Sequence, residues 1–150
     1  MTTVWSEQVR QLARFAFDSN ALIYLIEDRL PYAGYVTQVL DKMRLRQAVG
    51  VISSLVEMEL LVKPTRDRDQ KAIDKVNLFL RYAPNLLFRD VDRSVAQQAA
   101  RVRARTGLSP VDAVIAATAI EERCDVIIGN DSAFASRVVG IPYLYLDDYI

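Results

Sequence analysis

Short apolar runs alternate with segments of helical periodicity along the whole of this chain, and that alternation limits the fold more than any other feature. Phe15 to Phe17, Val49 to Ile52, Leu86 to Phe88, Val126 to Ile128 and Tyr143 to Leu146 read as short buried strands. Between them, residues 21–27, 35–46, 55–62, 72–82, 94–106 and 109–123 repeat their apolar side chains at helical spacing. Pro31 separates the first two of these helices, and Pro64 is expected to stop the third. Gly107 suits the position just past a helix, and Ser109 followed by Pro110 suits the start of the next. Strands alternating with helices imply an α/β fold whose central sheet is mostly parallel and flanked by helices on both faces. No repeat or linker divides the chain, so residues 1–150 read as one domain. Val4, Trp5, Val9, Leu12 and Ala13 make residues 1–14 a short helical extension ahead of the first strand.

That geometry gives four carboxylates a common address. Asp18, Glu59, Asp112 and Asp131 stand in or beside apolar runs, where an unpartnered charge is costly. In a parallel α/β fold every strand ends at one edge and the helix after it starts there, so the four can meet at the carboxyl edge, where ligands bind in open sheets. Asp112 opens a helix that runs about 20 Å away from that edge, and the strand Val126 to Ile128 brings the chain back to Asp131. Taken singly, each has a structural reading. Asp18 could cap a helix, Asp112 could complement a helix dipole, and Asp131 could serve a turn. Glu59 is harder to explain that way, because it interrupts Met58-Glu59-Leu60-Leu61-Val62. Its neighbour Glu57 has a structural place, since Ser54 and Glu57 have the spacing of a capping box with Ser54 as N-cap.

Together, four acids at one edge repel, and a divalent cation is the economical way to hold them. The chain has no histidine and one cysteine, which leaves oxygen donors and so Mg²⁺ or Mn²⁺. Cys124 alone can form neither an internal disulfide nor a zinc site, and it reads as a small buried hydrophobe. Lysines plus arginines equal the acids at 19 each, so any nucleic-acid contact must come from local basic groups. Arg101, Arg103 and Arg105 form one such group and Arg66, Arg68 and Lys71 another. Tyr24, Tyr32 and Tyr35 could stack on bases, though core packing is the commoner use of such residues. No signal-peptide pattern and no apolar run long enough for a membrane span are present, so the expected location is the cytoplasm. The Gly-rich turn of a dinucleotide-binding domain is absent, and Asn20 breaks the D-x-D start of one phosphatase class.

Phe17-Asp18-Ser19-Asn20-Ala21-Leu22-Ile23-Tyr24-Leu25 resembles the opening strand and acidic turn of PIN-domain ribonucleases, which include the VapC-type toxins of toxin–antitoxin pairs. Glu59-Leu60-Leu61-Val62-Lys63-Pro64, Leu108-Ser109-Pro110-Val111-Asp112-Ala113 and Gly129-Asn130-Asp131 resemble that family's later acidic segments, in order. The resemblance runs from Phe15 to Ile150 and implies a PIN-like three-layer fold. It implies a metal-dependent endoribonuclease in which Asp18, Glu59, Asp112 and Asp131 bind one or two Mg²⁺ or Mn²⁺ ions, leaving a 5′-phosphate and a 3′-hydroxyl. Asn20 and Asn130 would then orient a carboxylate or a water. RNA is the implied substrate, an antitoxin protein the implied partner, and a homodimer is compatible with the apolar 21–40 region. A non-catalytic PIN-like module that binds RNA or protein is the alternative, although such a scaffold has no need of four repelling charges. One departure stands out: the family often has Thr or Ser two residues before its last Asp, and here that position is Gly129.

Overall fold

The structure is a computed structural model that describes residues 2–150, with side chains from Val4 onward. Five strands, β1 (Arg14–Phe17), β2 (Val49–Ser53), β3 (Leu86–Arg89), β4 (Val126–Gly129) and β5 (Tyr143–Tyr145), form one sheet in the order β3-β2-β1-β4-β5. Every pairing is parallel, where the sequence implied a mostly parallel sheet. The helices are α1 (Thr2–Gln11), α2 (Ser19–Ile26), α3 (Tyr32–Arg44), α4 (Ser54–Arg66), α5 (Gln70–Tyr82), α6 (Arg93–Thr106), α7 (Pro110–Glu121) and α8 (Ser132–Arg137), followed by a 3₁₀ turn over Leu146–Tyr149. Right-handed crossovers put the connections toward β2 and β3 on one face and those toward β4 and β5 on the other, which gives three layers. The strand order reverses between β1 and β4, so a crevice opens at their carboxyl ends.

The core lies where β1, β4 and α7 meet. Phe15, Phe17, Ile127 and Ile128 are fully buried, each contributing about 1.5–3 kcal/mol over leaving it exposed. Helix α7 is apolar nearly all round, as a helix enclosed by sheet and neighbours must be. Its Ala113, Ala116, Ala117 and Ala119 are small enough to let it lie close on β1, β2 and β4, and α6 packs on it from outside. Buried Thr118 satisfies its hydroxyl on the Val114 carbonyl at 2.7 Å.

At the end where β1 begins, charges are matched. Asp125 Oδ2 accepts the backbone N–H groups of Ala13 and Arg14 at 2.9 and 3.0 Å. Glu122, with a side chain only 16% exposed, faces Arg14 at 3.5 Å and Arg89 at 3.4 Å. Helix α1 docks on α3 through the buried Trp5, whose indole N–H donates to the Tyr35 carbonyl at 2.9 Å. Lys42 then donates to the carbonyls of Val9, Arg10 and Leu12, closing the C-terminal end of α1.

Three local expectations need correction. Helix α4 passes through Pro64 to Arg66. A proline that near the helix end removes only one of the final bonds, and Asp67 N–H still reaches the Lys63 carbonyl at 2.9 Å. The N-cap of α4 is Ser53, whose hydroxyl accepts from Leu55 N–H at 3.2 Å, so Ser54 is already helical and the expected capping box with Glu57 does not form. The last strand ends at Tyr145, and Leu146 turns inward, fully buried, within the 3₁₀ turn. Among the described residues no helix is long and apolar enough to cross a membrane.

Candidate active site at the carboxyl ends of the strands

Two of the acids singled out in the sequence, Asp18 and Asp131, cap helices at this edge. Asp18 leaves β1 in an extended conformation and caps α2, its Oδ1 accepting the Ser19 N–H at 2.8 Å. Its Oδ2 accepts the Tyr143 hydroxyl proton at 2.9 Å, and the residue is only 4% exposed. Asp131 caps α8, with Oδ1 accepting Phe134 N–H at 3.1 Å. Asp112 sits in the first turn of α7, and its N–H is taken by the Ser109 hydroxyl at 3.2 Å. Glu59 projects from the second turn of α4, and its Oε1 is buried with no hydrogen-bond partner. The capping and turn roles are therefore real, and they fix where the carboxylates stand.

The electrostatics make these acids neighbours. Burial pushes Asp18 from 3.8 up to about 7; the bonds from Tyr143 and Ser19 pull against it, and the charges of Asp112 and Glu59 add to it. Burial likewise raises Glu59, offset by the nearby Ser19 hydroxyl and reinforced by Asp112 and Asp131. Asp112 is raised by burial and then by Asp131, against the Ser109 bond. Among the described residues no lysine or arginine forms an ion pair with any of the four. The position of Glu57 differs: its placement in the first turn of α4 leaves it outside this set of coupled acids.

Among the described residues no group of three or more such side chains is drawn together as a metal cage. The donor chemistry still suits a hard divalent cation. Mg²⁺ keeps several waters and is commonly held by one or two carboxylates together with substrate phosphates. The orphaned Glu59 Oε1 is a buried acceptor that no protein donor satisfies.

Asn20 and Asn130 act on the loops and not on the acids. Asn20 Oδ1 accepts the backbone N–H of Asn130 at 2.9 Å, and Asn130 in turn contacts the Tyr24 hydroxyl and accepts from Asp147 N–H. They tie the turn after β1 to the turn after β4. A groove of about 490 Å³ runs from Glu59 and Asn20 between α2, α4 and α5, and Arg29, Lys63 and Lys75 also line it. Lys63 lies one helical turn beyond Glu59, a spacing that could have been read from the sequence. Arg101 and Arg105 line a separate groove with Ile120 and Val139, and Arg103 donates to the Leu108 carbonyl at 3.1 Å. Tyr24 and Tyr32 stack with centroids 4.3 Å apart, whereas Tyr35 is buried and bonds the Tyr149 carbonyl. No motif in the sequence marks Tyr143. Its hydroxyl touches both Asp18 and the Asp131 N–H, and burial followed by the Asp18 charge holds its phenol well above the ordinary value. Cys124 is half-buried, its thiol pushed up to about 12 by burial, which disfavours the reactive thiolate.

A profile of the PIN domain matches residues 15–138. A search of curated proteins finds no match. Among solved structures, the chain resembles VapBC2 from Rickettsia felis bound to a DNA fragment from its promoter, with 17% identity, a TM-score of 0.70, and 88% of this chain and 98% of that one covered. DNA-bound VapBC from Salmonella typhimurium gives 20% identity and a TM-score of 0.68, covering 89% of this chain and 98% of that one. VapBC-1 from nontypeable Haemophilus influenzae gives 20% and 0.66 over the same shares. At such identities the likeness establishes the fold.

Proposed function

The chain belongs to the PIN domain family, and we propose that it is a divalent-metal-dependent endoribonuclease, the toxin of a toxin–antitoxin pair. One observation carries this reading: four mutually coupled carboxylates at the crevice edge pair with no lysine or arginine among the described residues, and one of them keeps a buried oxygen unpartnered. Asp18, Glu59, Asp112 and Asp131 would hold Mg²⁺ or Mn²⁺. When bound, the ion would supply an acidified water and offset charge on the phosphoryl oxygens.

The chain's own residues then do the positioning. Asp18 is fixed by bonds to both of its oxygens, so its orientation is set before any ligand arrives. Raised to about 7, the Asp18 carboxyl holds its proton more readily than an ordinary aspartate, which limits the repulsion; burial shifts Glu59 and Asp112 in the same direction. Lys63 and Lys75 in the groove beside Glu59 suit a phosphate backbone better than Arg103, which is engaged on a carbonyl, or Arg29, which pairs with Glu27. The VapBC relatives support an antitoxin as partner and a cytoplasmic setting, with a homodimer as the assembly to test.

The direct test incubates the purified protein with assorted RNAs and Mn²⁺ beside an Asp112→Asn variant. Cleavage by the wild type alone, leaving 5′-phosphate ends, is expected. Equal cleavage by both proteins rules out this site.

A further inference from the structure

The sequence departure at Gly129 and the unexpected contact of Tyr143 describe the same few ångströms of space. A Cβ built on Gly129 would overlap the Tyr143 hydroxyl, and it would lie 2.7 Å from Asp18 Cβ and 2.9 Å from Tyr143 Cζ. The backbone at Gly129 is not in the left-handed region, so glycine is needed there for room and not for conformation. The room is filled by a hydroxyl that comes from β5. Phe134 packs on the ring carrying it, with centroids 4.9 Å apart.

We propose that Tyr143 is a positioning residue of the acidic site: its hydroxyl occupies the place of a side chain at position 129 and bridges Asp18 to the backbone of Asp131. The direction of the bridge is fixed. The Asp131 N–H can only donate, so at 3.1 Å it takes a lone pair of the phenol oxygen. The single phenol proton is then left for Asp18 Oδ2, at 2.9 Å. Each Asp18 oxygen thus accepts one protein bond, from Ser19 N–H or from Tyr143, and retains a further lone pair for a cation. One hydroxyl couples the first and last acidic corners, which follow the neighbouring strands β1 and β4. A Ser or Thr at position 129 could supply a hydroxyl from β4 itself; here β5 supplies it, and the absence of a side chain at Gly129 leaves it room.

The inference rests on the metal-dependent reading, and its test keeps the two separable. Mn²⁺ binding is measured by calorimetry on wild type and Tyr143→Phe, which keeps the ring and removes the hydroxyl. Binding about 10–100-fold weaker in a folded Tyr143→Phe is expected, the usual cost of losing a group that orients a ligand. Gly129→Ser alone should weaken binding by collision. Gly129→Ser combined with Tyr143→Leu should bind more tightly than Tyr143→Leu alone, because the serine hydroxyl gains the vacated space. Hydrogen exchange on the wild-type protein gives a readout that needs neither metal nor variant: the Asp131 amide should be protected. Equal Mn²⁺ affinity in wild type and Tyr143→Phe, tighter binding by Gly129→Ser alone, or an unprotected Asp131 amide each overturns the bridge while leaving the site reading intact. Absence of Mn²⁺ binding by the wild type overturns both.

Discussion

The two ends of the sheet treat similar side chains in opposite ways. Where the strands begin, Glu122 is largely buried but faces two guanidinium groups, and Asp125 accepts two backbone N–H groups. Where the strands end, Asp18 is buried and Glu59 half-buried with no lysine or arginine paired to either among the described residues, one raised to about 7 and the other with an orphaned oxygen. The same residue types thus close the structure at one end and are left electrostatically unsatisfied at the other. Unpaired buried charge weakens a fold, so its concentration at the crevice marks the end given over to function.

The comparison breaks first on activity. Asp18→Asn and Asp112→Asn should each lower Mn²⁺-dependent RNA cleavage about 100-fold or more, since such an ion supplies several kcal/mol of charge stabilisation. Glu122→Gln, at the other end, should leave cleavage by the folded protein within about threefold, less than 1 kcal/mol on the same scale. A gel assay on all three variants decides it, and a loss with Glu122→Gln as large as with Asp112→Asn ends the contrast.

A second consequence concerns pH. The folded pKa of Asp18 lies above its ordinary value of 3.8, so in the metal-free protein the folded chain keeps a proton that the unfolded chain has lost. Stability from this group is therefore present near pH 4 and is lost as pH rises toward 7. In chelator, thermal unfolding at a series of pH values should show Asp18→Asn gaining on wild type by something on the order of 2 kcal/mol between about pH 5 and pH 7. A constant difference would mean that Asp18 titrates normally.

Smaller effects sharpen the picture. Glu122→Gln should cost about 1 kcal/mol of stability, because Arg14 and Arg89 lose their shared partner, and a denaturant melt would reveal it. Glu59→Gln should raise the melting temperature slightly in chelator, by removing one of the mutually repelling acids. The same change should weaken Mn²⁺ binding. A drop in stability would indicate that Glu59 has a structural partner.

The layered α/β fold was legible because β1, β2 and β4 are short apolar runs between helices with plain start signals, such as Ser109-Pro110 before α7. Parallel geometry then led to the shared edge for the four acids. What the sequence hid was of two kinds. Some of it was local and finely balanced: Ser53 and Ser54 are adjacent and chemically equal as caps, and only the backbone turn at Ser53 decides between them. Pro64 was read as a stop because its cost in mid-helix is large, but near the end of α4 little remained to lose. The rest was distant. The contact of Tyr143 with Asp18 spans 125 residues, and the use of Arg103 on the Leu108 carbonyl depends on how the α6–α7 turn is drawn in. Gly129 was visible as an anomaly, but its meaning lay in a strand that follows it.

Helix α1 carries the only tryptophan of the chain. Trp5 is fully buried, hydrogen-bonded to α3, with Tyr149 edge-on at 5.0 Å and Tyr35 at 5.7 Å. The protein therefore carries an optical reporter outside its acidic site: excitation of that one indole follows the docking of α1 and the C-terminal turn together, without a label and without touching the acids.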